Sequence, residues 1–314
     1  MSNADASESP TSEDWLDLRA QGGLRHRVLR ASGTGEKGPL LLFVHAASLC
    51  AGVWQPVQQR LGSHTGVAWD QRGHGDSDAP QEGSAYAWSE FGEDFLRLVE
   101  AVTAGEGRAP DACITHSFAG DCALIGLAER SLPVGRMILL DPVLADAEGA
   151  TTGAARLAKG TRRLGEKEAA GFASSADVEA GLEKVLRAQL ARDGLDANAK
   201  AAFARYGSAP DQDGIWRLKC RRENEAFVYE NRVALADYLS TREVDADVRL
   251  VFSEKRRAKP EDQAAAFERD WGEATRVIER CTVGEVMRLD SVGHFLVLEA
   301  PDLVAETIET LLRS

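Results

Sequence analysis

No apolar run in this chain of 314 residues is long enough to cross a bilayer, and no block of Lys or Arg is long enough to follow a phosphate backbone. Acidic side chains outnumber basic ones by 50 to 37, giving a net charge of −13. Nucleic acid and anionic membrane are therefore not expected partners. Cysteine is sparse: Cys50, Cys113, Cys122, Cys220 and Cys281 are odd in number and include no Cys-x-x-Cys spacing. They read as reduced thiols of a cytoplasmic protein, with neither a disulfide framework nor a zinc site. The opening MSNADASESPTSED has no apolar core of the signal-peptide kind, so residues 1–14 are expected to form a disordered leader. GTGEKG, at 33–38, lacks the Gly-Lys-Ser/Thr ending and the strand–loop–helix setting of a phosphate loop.

What the chain does have is a hydrophobic content of 44 %, enough for one large core with a modest second lobe. Its apolar runs alternate between two periods. Leu24 to Arg30 alternates as an edge strand does, while Leu40 to Val44 is continuously apolar, as in a parallel strand covered on both faces. A helix is expected from Val53 to Leu61 and a strand from His64 to Trp69. Trp88, Phe91, Phe95, Leu98 and Val99 then recur at helical spacing and mark a core-facing helix. Strands follow at Ala112 to Thr115 and Val134 to Leu140, with a helix beginning at Phe118 between them. From 145 to 236 strand-like runs vanish and Ala, Gly, Glu and Arg dominate. The rhythm returns with strands at Val248 to Phe252 and Val286 to Leu289, and helices at Asp262 to Trp271 and Leu303 to Leu312. The order predicts an α/β fold: a mostly parallel open sheet with helices on both faces, formed by 15–144 and 237–314, with 145–236 as a helical cap.

One stretch concentrates chemistry. In DACITHSFAGD, at 111–121, a short buried strand meets a helix with only Ser117 between them. A serine on such a turn is lifted above the carboxyl end of the sheet, and the first amides of the helix aim at the same point. Strand and helix pass so closely there that the flanking positions must be small, and they hold Thr115, Ala119 and Gly120. Ser117 taken alone also reads as an ordinary helix N-cap.

A serine hydroxyl attacks only when an imidazole removes its proton and a carboxylate orients that imidazole. Of the six histidines, His26 and His64 lie by early strands, His74 in a polar loop and His116 beside the serine, where packing is the expected role. His294, in SVGHFLVLEAP, follows the last strand, where a loop can carry an imidazole over the turn.

Taken together, HAASLCAGVW, DQRGHGDSDAP, THSFAG and VGHFLVLEAP resemble, in order and spacing, the α/β-hydrolase superfamily across nearly the whole chain. The resemblance implies Ser117 as nucleophile and His294 as base. It also implies an oxyanion hole from the backbone amides of Ala47 and Phe118. Ala46 stands where the family usually has Gly and requires a negative φ. The family acid usually follows the strand after the cap, yet Arg256 occupies that position here. Some members carry the acid at the end of the strand after the elbow helix, which points to Asp141; Glu254 is the alternative.

The reading is a serine hydrolase, needing neither cofactor nor metal, for a small or medium ester or lactone, uncharged because an apolar lining is expected under a cap. Carbon–carbon hydrolysis or perhydrolysis on the same three residues, acyl transfer to another acceptor, and a ligand-binding protein that has lost catalysis remain open. So does the oligomeric state, a homodimer included.

Overall fold

The computed structural model describes residues 11–32, 38–186, 190–255 and 260–314. GTGEKG apart from Gly38, and Arg256, lie outside them. In chain order the first half comprises β1 (Thr11–Asp17), β2 (Arg25–Ser32), β3 (Leu40–Val44), α1 (Gln55–Arg60), β4 (Thr65–Trp69), α2 (Trp88–Glu106), β5 (Ala112–His116), α3 (Phe118–Glu129) and β6 (Arg136–Leu140). Next come α4 (Ala154–Lys167), α5 (Ser175–Leu186), α6 (Ala197–Gly207), β7 (Ser208–Pro210), β8 (Trp216–Leu218), α7 (Arg222–Glu230) and α8 (Leu235–Tyr238). The chain ends with β9 (Val244–Lys255), α9 (Pro260–Ile278), β10 (Cys281–Gly293), α10 (Leu296–Glu299) and α11 (Pro301–Arg313).

Eight strands form one sheet in the order β1-β2-β4-β3-β5-β6-β9-β10, with β1 and β2 antiparallel additions to a parallel remainder. Two sequence expectations change at its start. Residues 11–14, expected in a leader, belong to β1, and β2 is therefore not an edge: it pairs on both sides. Exposed side chains along β1 gave no hydrophobic signal, because an edge strand gains from backbone pairing rather than from burial.

Hydrophobic clusters fill both faces of the sheet. β3 is buried at all five residues, which explains its unbroken apolar run. α3 is buried from Phe118 through Leu127, so it is apolar all round and shows no amphipathic stripe. It crosses α2 at two glycines, where a Cβ on Gly126 would stand 2.6 Å from the Gly92 carbonyl oxygen. Gly126→Ala is expected to lower unfolding stability by about 1–2 kcal/mol, overpacking against backbone outweighing alanine's better helix propensity. An unchanged denaturation midpoint would contradict so tight a crossing.

The stretch between β6 and β9 is mainly helical, as expected, but it also contains the β7–β8 hairpin, too short to show an alternating pattern. Among the described residues no helix is long and apolar enough to cross a membrane.

Candidate active site

The site lies where β3, β5, β6 and β10 deliver their carboxyl ends. Ser117 occupies the single position between β5 and α3 with φ 58° and ψ −135°, and its hydroxyl caps no amide of the helix. An ordinary N-cap serine would use its oxygen for that bond. The turn is held from the neighbouring strand, since the Ser117 amide donates to Leu140 O of β6 at 2.9 Å and extends the β5–β6 ladder by one rung. The small neighbours are needed as the sequence suggested: a Cβ on Gly120 would come within 2.9 Å of both Leu139 and Thr115 side-chain atoms.

Asp141 closes β6. Its amide continues the ladder to Val251 O at 2.7 Å, and its carboxylate is fully buried. Oδ1 accepts the Ser253 amide at 2.8 Å, and Oδ2 is bonded to Nδ1 of His294. That bond leaves Nε2 of His294 as the ring nitrogen available to the cavity that His294 shares with Ser117. Glu254, the alternative acid, is turned elsewhere: it accepts the Ser291 amide at 2.8 Å and faces Arg288.

Buried neighbours hold these parts. His116 is bonded through Nε2 to the backbone oxygen of His294 at 2.8 Å, and burial pushes its pKa down to about 3, so it is a neutral donor. It supports the backbone of His294, in keeping with a packing role. Glu299 accepts the Gly293 amide at 3.0 Å with one oxygen and the Ala191 and Arg192 amides with the other. It thereby ties the His294 loop to the helical stretch.

The turn after β3 is fixed by two histidines in contact, with ring centroids 5.1 Å apart. The amides of Gln71 and Ser48 donate to Nε2 of His45 and His74 respectively, and Nδ1 of each ring bonds a carbonyl oxygen. Only neutral imidazoles can accept in this way, and burial lowers both pKa values accordingly. Ala46 is absent from the described residues of positive φ, which satisfies the condition its methyl group imposes.

Those non-glycine residues of positive φ are Ser48, Ser117, Asp141, Leu144 and Ser291, and all flank this site. Each such conformation costs on the order of 1–3 kcal/mol, so the strain is concentrated where the geometry is most constrained.

A cavity of about 660 Å³ opens over Ser117 and His294, floored by Ala46, Ala47 and Phe118. Its walls correct one expectation. Apolar residues such as Leu144 and Leu157 are present, but so are Arg156, Arg232, Arg269, Asp146, Glu148, Asp270 and Glu273. The charges come from the helical stretch between β6 and β9 and from α9. Neither Trp54 nor Trp216 lines it, and Trp54 is buried in the core. Glu225 is buried against Arg222 and Tyr229. Among the described residues no group of three or more His, Cys, Asp or Glu is arranged to hold a metal ion.

A mostly parallel sheet with helices on both faces, a serine on a strained strand-to-helix turn and a histidine bonded to a buried carboxylate define the class. The chain matches the alpha/beta hydrolase family over residues 41–307 and belongs to it. It is a hydrolase. Among relatives of known activity, 2-(acetamidomethylene)succinate hydrolase of Mesorhizobium japonicum is 33 % identical over 95 residues, 30 % of this chain and 32 % of that protein. The crystal structure of E-2-(acetamidomethylene)succinate hydrolase superposes with a TM-score of 0.70 at 20 % identity, covering 97 % of this chain and 100 % of the other. The thioesterase domain from the curacin biosynthetic pathway gives 0.68 at 18 % identity, with coverage of 97 % and 100 %. Such structural likeness speaks for the fold alone.

Proposed function

We propose that this protein is a serine hydrolase that cleaves a small or medium carboxylic ester or lactone through an acyl-enzyme intermediate. The observation that carries this reading is the bond from buried Asp141 to Nδ1 of His294, in a ring that shares its cavity with Ser117 on the strained turn. In the cycle, Nε2 of His294 takes the proton as Ser117 Oγ attacks the carbonyl carbon. Asp141 orients the ring and stabilises the imidazolium that forms. The amides of Ala47 and Phe118 bind the oxyanion. Phe118 is the first residue of α3, so its N–H has no partner within the helix and sits at the positive end of the helix dipole. The imidazolium then protonates the leaving group, and water, activated by the same ring, releases the acid. Residues 145–236 act as the cap, an assignment supported by the walls they contribute to the cavity.

The charged walls alter the substrate expected. Arg156 and Arg269 have no side-chain ion pair among the described residues, whereas Asp146 and Glu273 are engaged by the Gly149 amide and by Arg276. A substrate bearing a carboxylate suits this lining better than an uncharged one. Both arginines are exposed and carboxylates stand nearby, so the preference is modest, about five- to tenfold in kcat/KM. A panel of short-chain esters, each in a neutral and a carboxylate-bearing form, tests this. Removing the preference with Arg156→Ala and Arg269→Ala together supports it, and faster turnover of the neutral partner refutes it.

One relative favours a second reading. The substrate named for the Mesorhizobium protein carries an acetamido group on a succinate, so cleavage at an acyl–nitrogen bond of a dicarboxylate fits the same cavity. Turnover of acetamido-alkenes without turnover of any ester in the panel would select it.

A further inference from the structure

We propose that Asp121 is a positioning residue for the acid: a buried carboxylate on α3 that holds the Asp141 loop in register with Ser117. The proposal rests on the reading of Asp141 and His294 given above, and its basis is geometric. Asp121 is fully buried, and its two oxygens accept two consecutive amides of the loop after β6. Oδ2 takes Val143 N at 3.0 Å and Oδ1 takes Leu144 N at 2.9 Å.

The loop needs such a hold. Asp141 and Leu144 are both at positive φ, 47° and 44°, with Pro142 between them, a backbone path that no regular strand or helix imposes. Left to itself, a segment with two strained residues would relax, and the Asp141 side chain would swing with it. Asp121 stands four residues beyond Ser117 on the same helix, one turn on. A single rigid turn of α3 therefore carries the nucleophile at its start and the anchor of the acid loop at its end, which sets the distance between the two.

An aspartate among apolar neighbours is itself a cost that the fold must offset. Burial raises its pKa to about 6, while the two amides and the positive Arg232 oppose that rise. Asparagine has the same shape but only one oxygen. Its NH₂ group would meet the second amide donor to donor, leaving that N–H without an acceptor and pushing the loop away.

The test is a double-mutant cycle read by the rate at which a fluorophosphonate probe phosphonylates Ser117 in wild type, Asp121→Asn, Asp141→Asn and the double variant. Misplacing a catalytic group by about an ångström costs up to about 100-fold. Asp121→Asn is therefore expected to slow labelling about 10- to 100-fold, yet by no more than about twofold in the Asp141→Asn background, because it acts only through that carboxylate. A rate within about twofold of wild type, or the same loss in both backgrounds, overturns the proposal. If wild type does not label, it is the reading of Ser117 that fails, and the far-downfield proton resonance of His294 Nδ1–H then decides. Its loss in folded Asp121→Asn upholds the role of Asp121, and its persistence unchanged overturns it. Should Asp121→Asn not fold, the smaller Asp121→Ser goes through the same measurements.

Discussion

Ser117→Ala is expected to abolish fluorophosphonate labelling and to lower kcat by about 10⁶-fold, with the folded structure and substrate affinity retained. The size of the effect follows from what the hydroxyl does. In the proposed cycle it is the only atom that forms the covalent bond, so oxyanion stabilisation and binding alone would remain, and these give about 10³- to 10⁴-fold over water. Stability should not fall. Ser117 caps no amide of α3, and its φ of 58° is a strain that alanine neither creates nor relieves. Intact-mass spectrometry of probe-treated protein gives the answer directly, as one adduct in wild type and none in the variant. Stoichiometric labelling of Ser117→Ala would move the nucleophile elsewhere, and an unlabelled, folded wild type would favour a ligand-binding protein that has kept the fold.

The second large effect is expected for Asp141→Asn: a loss of about 10⁴-fold in kcat with little change in KM. The carboxylate uses both oxygens, one for the Ser253 amide and one for Nδ1 of His294. An asparagine satisfies one of them. If its oxygen keeps the Ser253 amide, its NH₂ group faces Nδ1 and forces the ring into the tautomer with the proton on Nε2, which can no longer accept from Ser117. The turnover assay is to be paired with a thermal melt, because leaving a buried amide poorly matched costs about 1–3 kcal/mol whatever the catalytic role. Near-normal turnover in a folded variant would remove Asp141 from the mechanism. Glu254 would not replace it, since Ser291 and Arg288 already engage that side chain.

The proposed acid illustrates the division between chain and fold. Asp141 at the end of an apolar run was a candidate because a buried carboxylate must be bonded, and a histidine ring satisfies that need. Choosing it over Glu254 required the register: β6 sits between β5 and β9, so Asp141 lies beside the elbow and under the loop from β10. Asp121 shows the reverse case. An acidic residue alone in the apolar run FAGDCALIGLA was a visible signal, but its partners are amides 22 and 23 residues away, and nothing in the residues between announces them.

What the sequence determined by itself was whatever depends on neighbours within a few residues. The apolar runs set the central strands, helical spacing set α2, and one serine between a strand and a helix set the elbow, because period and turn sterics are local. The tertiary structure alone decided three things: that residues 11–14 add a strand, that the cavity walls are charged, and which carboxylates reach His294 and its loop. Each depends on where distant segments meet. Pairing at a sheet edge and charges turned into a cavity leave no periodic trace, since the same side chains on an isolated strand or helix look merely solvated.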